Sequence, residues 1–342
     1  KKRFLSNALA MVGILLFMAQ GSYGQVGTPF SARLTDVDGN KYLKVKGDIK
    51  LIGNTILTPK GKPLPFNDAG NNISLDAVYL DVDGVASTVS SSSADLVTDN
   101  SCKRIVFAGL YWSAMYPNGE STDTGCFNCG TPPRDDWNQV KFTVPGISPA
   151  LPVTHTITAS KTDPKEVIFK GNNNASPFIF NEGVYVCFKD VTSILQNLPD
   201  ADGTYTVADL RATTGLRKGG AAGGWTLVVI YESPTLPSKY ISVFDGAQMT
   251  NVDSGVNQLL TVDIPVKGFQ TLPAPFPVEA KIGVAALDGD RSTPGDGLLF
   301  REGVPPPAVP PAPANSFFTP ISNTLNPGST TPPVPFNFFN AT

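Results

Sequence analysis

GGWTLVVIYESP, residues 223–234, is the stretch that decides the fold class. From Trp225 to Tyr231 every position except Thr226 is apolar, and a short, β-branched run of this kind reads as a strand covered on both faces. Such a strand lies in the middle of a fold, so the chain is expected to build layers on either side of it. TYTVADLRATTG at 204–215 and KYISVFDG at 239–246 flank it as further strands, punctuated by Gly, Pro and Ser. Between the first two runs, LRKGGAAGG at 216–224 removes almost all side-chain bulk. It lacks the G-x-x-x-x-G-K-[ST] spacing and precedes a strand instead of a helix, so it reads as steric clearance for Trp225 and not as a phosphate cradle.

Composition agrees. With 32 Gly, 31 Pro, 20 Phe and only 16% charged residues, the chain is rich in turns and in β-formers. The expected fold class is all-β: an antiparallel β-sandwich of jelly-roll or Greek-key connectivity, with one short helix and long loops. Further strands are expected at 47–57, 73–82, 104–113, 139–144, 153–159, 178–189, 258–264, 278–287 and 298–301. The helix is expected at 191–197, VTSILQN, capped by Asp190 and stopped by Pro199. Residues 87–99, with four consecutive serines, and 117–136 are expected to be long loops.

Residues 1–24 read as a secretory signal peptide: Lys1, Lys2 and Arg3, then the apolar run at 8–19, then small residues Ser22 and Gly24 before Gln25. Twelve residues of helix span about 18 Å, short of the roughly 30 Å hydrocarbon core, so this is an address and not an anchor. Loss of its three basic residues lowers the formal charge from −3 to −6. A mildly acidic exported chain with no membrane span in its mature part is a poor partner for nucleic acid. Residues 25–302 are expected to form one all-β surface domain, with two subdomains as the alternative. Residues 303–342 are Pro/Phe-rich: eleven prolines fall within 301–342, a composition that favours extended chain over a packed core. The pairs Phe317–Phe318 and Phe338–Phe339 suggest a docked edge strand; the alternative is a linker.

Few residues carry chemistry. The single histidine, His155 in VTHTIT, sits on a strand face, and one histidine nearly excludes hydrolase triads and His-rich metal centres. The four cysteines are expected to pair as Cys126 with Cys129 and Cys102 with Cys187. A four-thiolate zinc site and a thioredoxin-like redox pair are the competing readings. Oxygen-rich Asp/Gly loops are the candidate ligand sites: Asp36, Asp38 and Asn40; Asp81 and Asp83; and Asp288, Asp290 and Asp296 in LDGDRSTPGDG. Calcium, which takes six to eight such oxygens, is the candidate ion, the last cluster being the leading site. Asp and Gly are equally the residues of plain turns. Trp112, Tyr116 and Trp137 are aromatics that could stack on sugars if exposed.

The blocks IVFAGLYWSA (105–114), GVYVCFKDVTSIL (183–195), the run 204–246 and LDGDRSTPGDGLLF (287–300) resemble the N-terminal region of the giant cell-surface adhesins of Bacteroidota, the gliding-motility adhesin type. The resemblance covers residues 47–342. It implies export, type IX secretion, display at the cell surface, and partners in the secretion and motility machinery; it brings no catalytic or cofactor residues. Such adhesins continue into repeats and a sorting domain, which this sequence lacks. The functional expectation is a non-enzymatic adhesin module that contacts surfaces or polysaccharide. The alternatives are a structural cap or assembly module that joins partners by strand addition, including self-assembly, and an extracellular glycan-hydrolysing domain.

Overall fold

The computed structural model describes residues 27–61, 76–98, 102–116, 126–127, 136–146, 151–171, 183–217, 220–248, 264, 266 and 281–286. The apolar run at 223–234 becomes a central strand, Gly223–Glu232, paired antiparallel along its length with Leu43–Thr55 on one side and Arg104–Met115 on the other. In chain order the strands are β1 (Gly27–Ala32), β2 (Leu43–Thr55), β3 (Leu57–Pro59), β4 (Asp76–Tyr79), β5 (Ser91–Leu96), β6 (Arg104–Met115), β7 (Cys126–Phe127) and β8 (Gln139–Val144). They continue as β9 (Val153–Thr158), β10 (Val167–Lys170), β11 (Val184–Asp190), β12 (Gly203–Ala208), β13 (Gly215–Arg217), β14 (Gly223–Glu232), β15 (Ser238–Ile241) and β16 (Phe244–Gln248).

Four sheets result. The largest has the order β10-β11-β6-β14-β2-β15; the others are β5-β12-β8-β9, β3-β4-β13-β7 and the ribbon β1-β16. Every ladder between the described strands is antiparallel. The fold is therefore an all-β antiparallel sandwich, as expected.

The two-faced reading of β14 holds side chain by side chain. Trp225, Leu227, Val229 and Tyr231 join the larger core, with Val140, Phe142, Tyr205 and Val207 of the four-stranded sheet β5-β12-β8-β9. Val228 and Ile230 point the other way, into a second core with Phe107, Phe188, Ile241 and Val243. The period-2 alternation of a strand thus divides one apolar run between two layers.

The glycine tract does what its composition suggested. A Cβ on Gly223 would lie 3.0 Å from Ala212 Cβ, 3.2 Å from Ala114 Cβ and 3.2 Å from Ile56 Cδ1, tighter than ordinary contact, so a side chain here would press on three core residues.

Three expectations need correction. Residues 87–99 are not a long loop: 91–96 form β5, and Ser90, Ser91 and Ser92 are fully buried. Their hydroxyls are bonded inside the fold, Ser90 Oγ to Leu210 O at 2.8 Å and Ser92 Oγ accepting from Trp225 Nε1 at 2.8 Å, which is what lets a polar run occupy a core strand. The run at 204–215, expected as a strand, is strand only over its first part, β12, which lies in a different sheet from β14. β12 breaks off at Asp209, whose φ is 63°, and its partners are β5 and β8. Residues 281–286, expected within a strand, are not in one; Lys281 instead approaches Asp48 at 3.9 Å, and Gly283 lies against Leu51.

The helix α1, Thr192–Gln196, lies within the expected span, but its N-cap is Val191, which makes no side-chain cap bond; Asp190, one residue earlier, accepts from Thr192 N through Oδ1 at 2.9 Å. The expected strands at 298–301 and most of 258–264, and the whole of 1–24 and 303–342, lie outside the described residues.

Candidate functional site

The turns that carry acidic residues are closed by those residues. Asp36 Oδ1 accepts from Asp38 N (3.0 Å) and Asn40 N (2.7 Å), and Oδ2 accepts from Asn40 Nδ2 (2.8 Å). These bonds, that from the Asn40 side chain first, hold the Asp36 carboxyl below its ordinary pKa. Asp81 Oδ1 accepts from Gly84 N and Ser91 Oγ, and Asp83 Oδ1 from Val85 N. Both loops use their oxygens as turn-formers do. Among the described residues no group of three or more His, Cys, Asp or Glu is placed to hold a metal. Asp288, Asp290 and Asp296 lie outside the described residues.

The pairing of Cys102 with Cys187 is overturned. Both are free thiols, Cys102 exposed and Cys187 fully buried. Cys187 on β11 stands opposite Trp112 of β6, ten residues along from Cys102, a separation of about 30 Å at strand rise. A disulfide needs Cα atoms within about 7 Å. Cys126 lies on β7, its backbone opposite Arg217, and Cys129 lies outside the described residues.

His155 is half-buried on β9 opposite Phe142. Trp112 and Tyr116 are core residues, so neither can stack on a ligand. Trp112 donates from Nε1 to Trp137 O at 3.2 Å, which fixes the chain just before β8.

Of these three aromatics, Trp137 is the one that keeps some exposure. It is half-buried against the larger core, with the Tyr185 ring 5.3 Å away at 49°. Two ammonium groups approach the same indole: Lys161, from the turn after β9, and Lys170, from the end of β10, each with Nζ 5.5 Å from the ring centroid. Burial raises the pKa of the Cys187 thiol beneath, while the charges of Lys170 and Lys161 work against that rise.

Beside this cluster, Arg211 clasps Asp136 with both arms, Nη2 to Oδ2 at 2.6 Å and Nε to Oδ1 at 3.2 Å. The Arg211 carbonyl accepts from Tyr185 Oη at 2.6 Å, and Ala212 O accepts from Tyr79 Oη at 2.5 Å. Burial pushes both phenols above their ordinary pKa, so they stay protonated donors.

Sequence reading named Trp137 but missed Lys161, Lys170 and Arg211. No local motif joins these positions; they meet because β9, β10 and the segment after β12 end at one edge of the sandwich.

A concavity of about 450 Å³ elsewhere is lined by Lys103, Ile105, Leu195, Gln196 and Asp200 beside α1. Its lysine is committed: Lys103 bonds Asp200 at 2.8 Å and Asp202 at 2.7 Å, with its side chain 6% exposed. Asp202 in turn accepts from Thr98 N at 3.0 Å. This is a staple between chain segments, not a ligand site.

In comparison with known proteins, the chain matches no family model, no curated protein and no solved structure.

Proposed function

We propose that this chain is a non-enzymatic, cell-surface adhesin module, exported by its N-terminal segment and acting in attachment to surfaces or polysaccharide. The observation that carries the reading is the Trp137 cluster: a half-buried aromatic approached by two lysine ammoniums on a scaffold packed on both faces of its central sheet. Preformed recognition surfaces combine an aromatic platform with a few placed polar groups in this way. Membership of the Bacteroidota gliding-motility adhesins, and with it type IX secretion, rests on the sequence blocks and is part of the same proposal. The test is binding of the purified protein to glass, to a polysaccharide panel and to a glycan array. Retention on at least one is expected, and failure on all three removes the adhesive role.

A second reading has its own observation. β9 is the last strand of its sheet, paired only with β8 among the described strands, and a terminal strand can accept a further one. In this assembly reading residues 316–342 would be the donor. Deleting them should abolish higher-order species in light scattering at unchanged melting temperature. A lower melting temperature with unchanged association would assign the tail to its own domain.

A further inference from the structure

We propose that β9 is a self-pairing edge: two copies of this chain join β9 to β9, antiparallel about a two-fold axis at Thr156, and fuse their four-stranded sheets into one. The inference rests on the assembly reading above in taking β9 as the acceptor edge, and departs from it in making the donor a second β9.

The open side of β9 follows from the ladder on its closed side. Ala159 N donates to Asn138 O at 2.9 Å, one step beyond the pair Gln139–Thr158. Bonded positions alternate along an antiparallel ladder, so Ile157, His155 and Val153 turn their backbone groups toward β8. The N–H and C=O of Thr154, Thr156 and Thr158 therefore point to the other side, where no described strand stands.

The other described edges are closed or guarded. On β5, Ser91 N donates to Leu80 O at 2.7 Å and Ser93 O accepts from Asn54 Nδ2 at 2.8 Å. β10 and β15 are four residues long; the first is broken by a register shift and ends in Lys170, the second follows Pro237 and carries Lys239. β3 and β7 are shorter still, and a register shift interrupts the ribbon β1-β16. β9 has six residues, VTHTIT, with no Asp, Glu, Lys, Arg or Pro and no bulge against β8. Short length, charge, proline and bulges are the devices that keep sheet edges apart, and β9 carries none of them.

Its own sequence supplies the matching strand. Residues directly opposed in an antiparallel pair share a face, and the free backbone groups belong to the three threonines. With Thr156 opposite itself, Thr154 meets the second copy's Thr158 and Thr158 meets the second copy's Thr154, so all three threonines exchange both bonds. Centres one step away, at His155 or Ile157, close only two such pairs. On the outer face threonine then meets threonine, extending the hydroxyl pairs Thr143–Thr154 at 2.8 Å and Ser93–Thr206 at 2.7 Å. On the inner face Val153, now 46% exposed, meets the second copy's Ala159, which covers apolar surface at the rim.

Charge does not oppose the pairing. Lys141 of β8 donates to Thr156 Oγ1 at 2.8 Å. Its counterpart in the second copy would stand three strand spacings away, about 14 Å, beyond the screening length of about 8 Å at physiological ionic strength.

The experiment is sedimentation velocity of the full chain as its concentration is raised, with Thr156→Pro and a chain lacking residues 316–342 run in parallel and folding followed by circular dichroism. Proline at 156 removes an N–H that faces away from β8, which an edge strand tolerates. Two cysteine variants test the register without relying on that fold: in a Cys102→Ser background, Thr156→Cys and Thr154→Cys are oxidised and their cross-linked peptides identified by mass spectrometry. Opposed bonded residues have Cα atoms about 5.5 Å apart, within disulfide reach, whereas the two copies of position 154 are offset by four residues, about 13 Å.

The expected result is a species of twice the chain mass that forms with and without residues 316–342, is lost in Thr156→Pro, and cross-links through position 156 and not 154. A parent that stays monomeric with no 156–156 cross-link overturns the proposal, as does a dimer that Thr156→Pro leaves unchanged. Association lost both in Thr156→Pro and on deletion of 316–342 also overturns it, while leaving the reading of β9 as the acceptor of the tail. Association that neither change affects removes both.

Discussion

At the scale of single residues, the fold depends on atoms that are missing or satisfied in particular places. Gly223 is one. Substitution to Val places methyl groups where Ala114, Ala212 and Ile56 already stand, and overpacking of this kind costs about 1–3 kcal/mol; the urea midpoint should fall with the m-value unchanged. Ser92 is another. Ser92→Val leaves the Trp225 indole N–H buried without its 2.8 Å acceptor, a loss of about 1–3 kcal/mol, and the fluorescence of the unfolding baseline should report it together with the change in midpoint. The thiols give a third check. Native protein treated with maleimide should carry the label at Cys102 and not at Cys187, which becomes reactive only after denaturation, because one is exposed and the other is fully buried with a raised pKa. Label at Cys187 in the native state would contradict its position.

At the scale of elements, the ribbon β1-β16 is tied to the second core by a polar knot, besides the bond from Thr28 Oγ1 to Ile168 O. Arg33 pairs with Asp245, stacks over Phe188 at 4.1 Å, and shares Asp245 with Tyr111, whose Oη donates at 2.9 Å. Both members of the ion pair are 11% exposed, so removing one strands the other. Asp245→Ala should cost about 3 kcal/mol, and hydrogen exchange should accelerate in β1 and β16 while β14 stays protected.

The Lys103 staple gives a pH signature. The hydrogen bond with Lys103 lowers the Asp200 pKa below its ordinary 3.8; this stability is present above that value and is lost as the pH falls through the lowered one. Burial works against the Lys103 charge, but the bonds with Asp200 and Asp202 prevail and raise its pKa above the ordinary 10.5. That contribution is present below the ordinary value and is lost as the pH rises through the raised one. Lys103→Met should flatten both limbs of the stability profile measured by urea denaturation.

Elements were legible in sequence where an apolar pattern carried them, a continuous run in β14 and alternation in β8 and β9. β5 was not, because a serine strand announces burial only through the partners its hydroxyls find. The Trp137 cluster was half legible: the indole stood out, but Lys161 and Lys170 are ordinary surface residues until β9 and β10 end beside it.

At the scale of the molecule, sequence neighbours are seldom sheet neighbours. In the six-stranded sheet only β10 and β11 are consecutive, and β14 must find β2 and β6 across more than a hundred residues. Closing such long loops before their contacts form is slow, and stopped-flow refolding should proceed in milliseconds to seconds; microsecond folding would be inconsistent with this topology. The pairing order stayed hidden in the sequence for the same reason, since periodicity specifies which face a residue takes and not which strand lies beside it.

The ribbon has a mechanical meaning. Gly27 of β1 stands opposite Gln248 of β16, so the two outer ends of the ribbon lie side by side. A pull applied across these two positions opens the ribbon bond by bond, like a zip, and the load stays off β14 until the last pair, Ala32 with Phe244, has parted. Under such a pull the ribbon is a sacrificial joint that stretches first and spares the sandwich behind it.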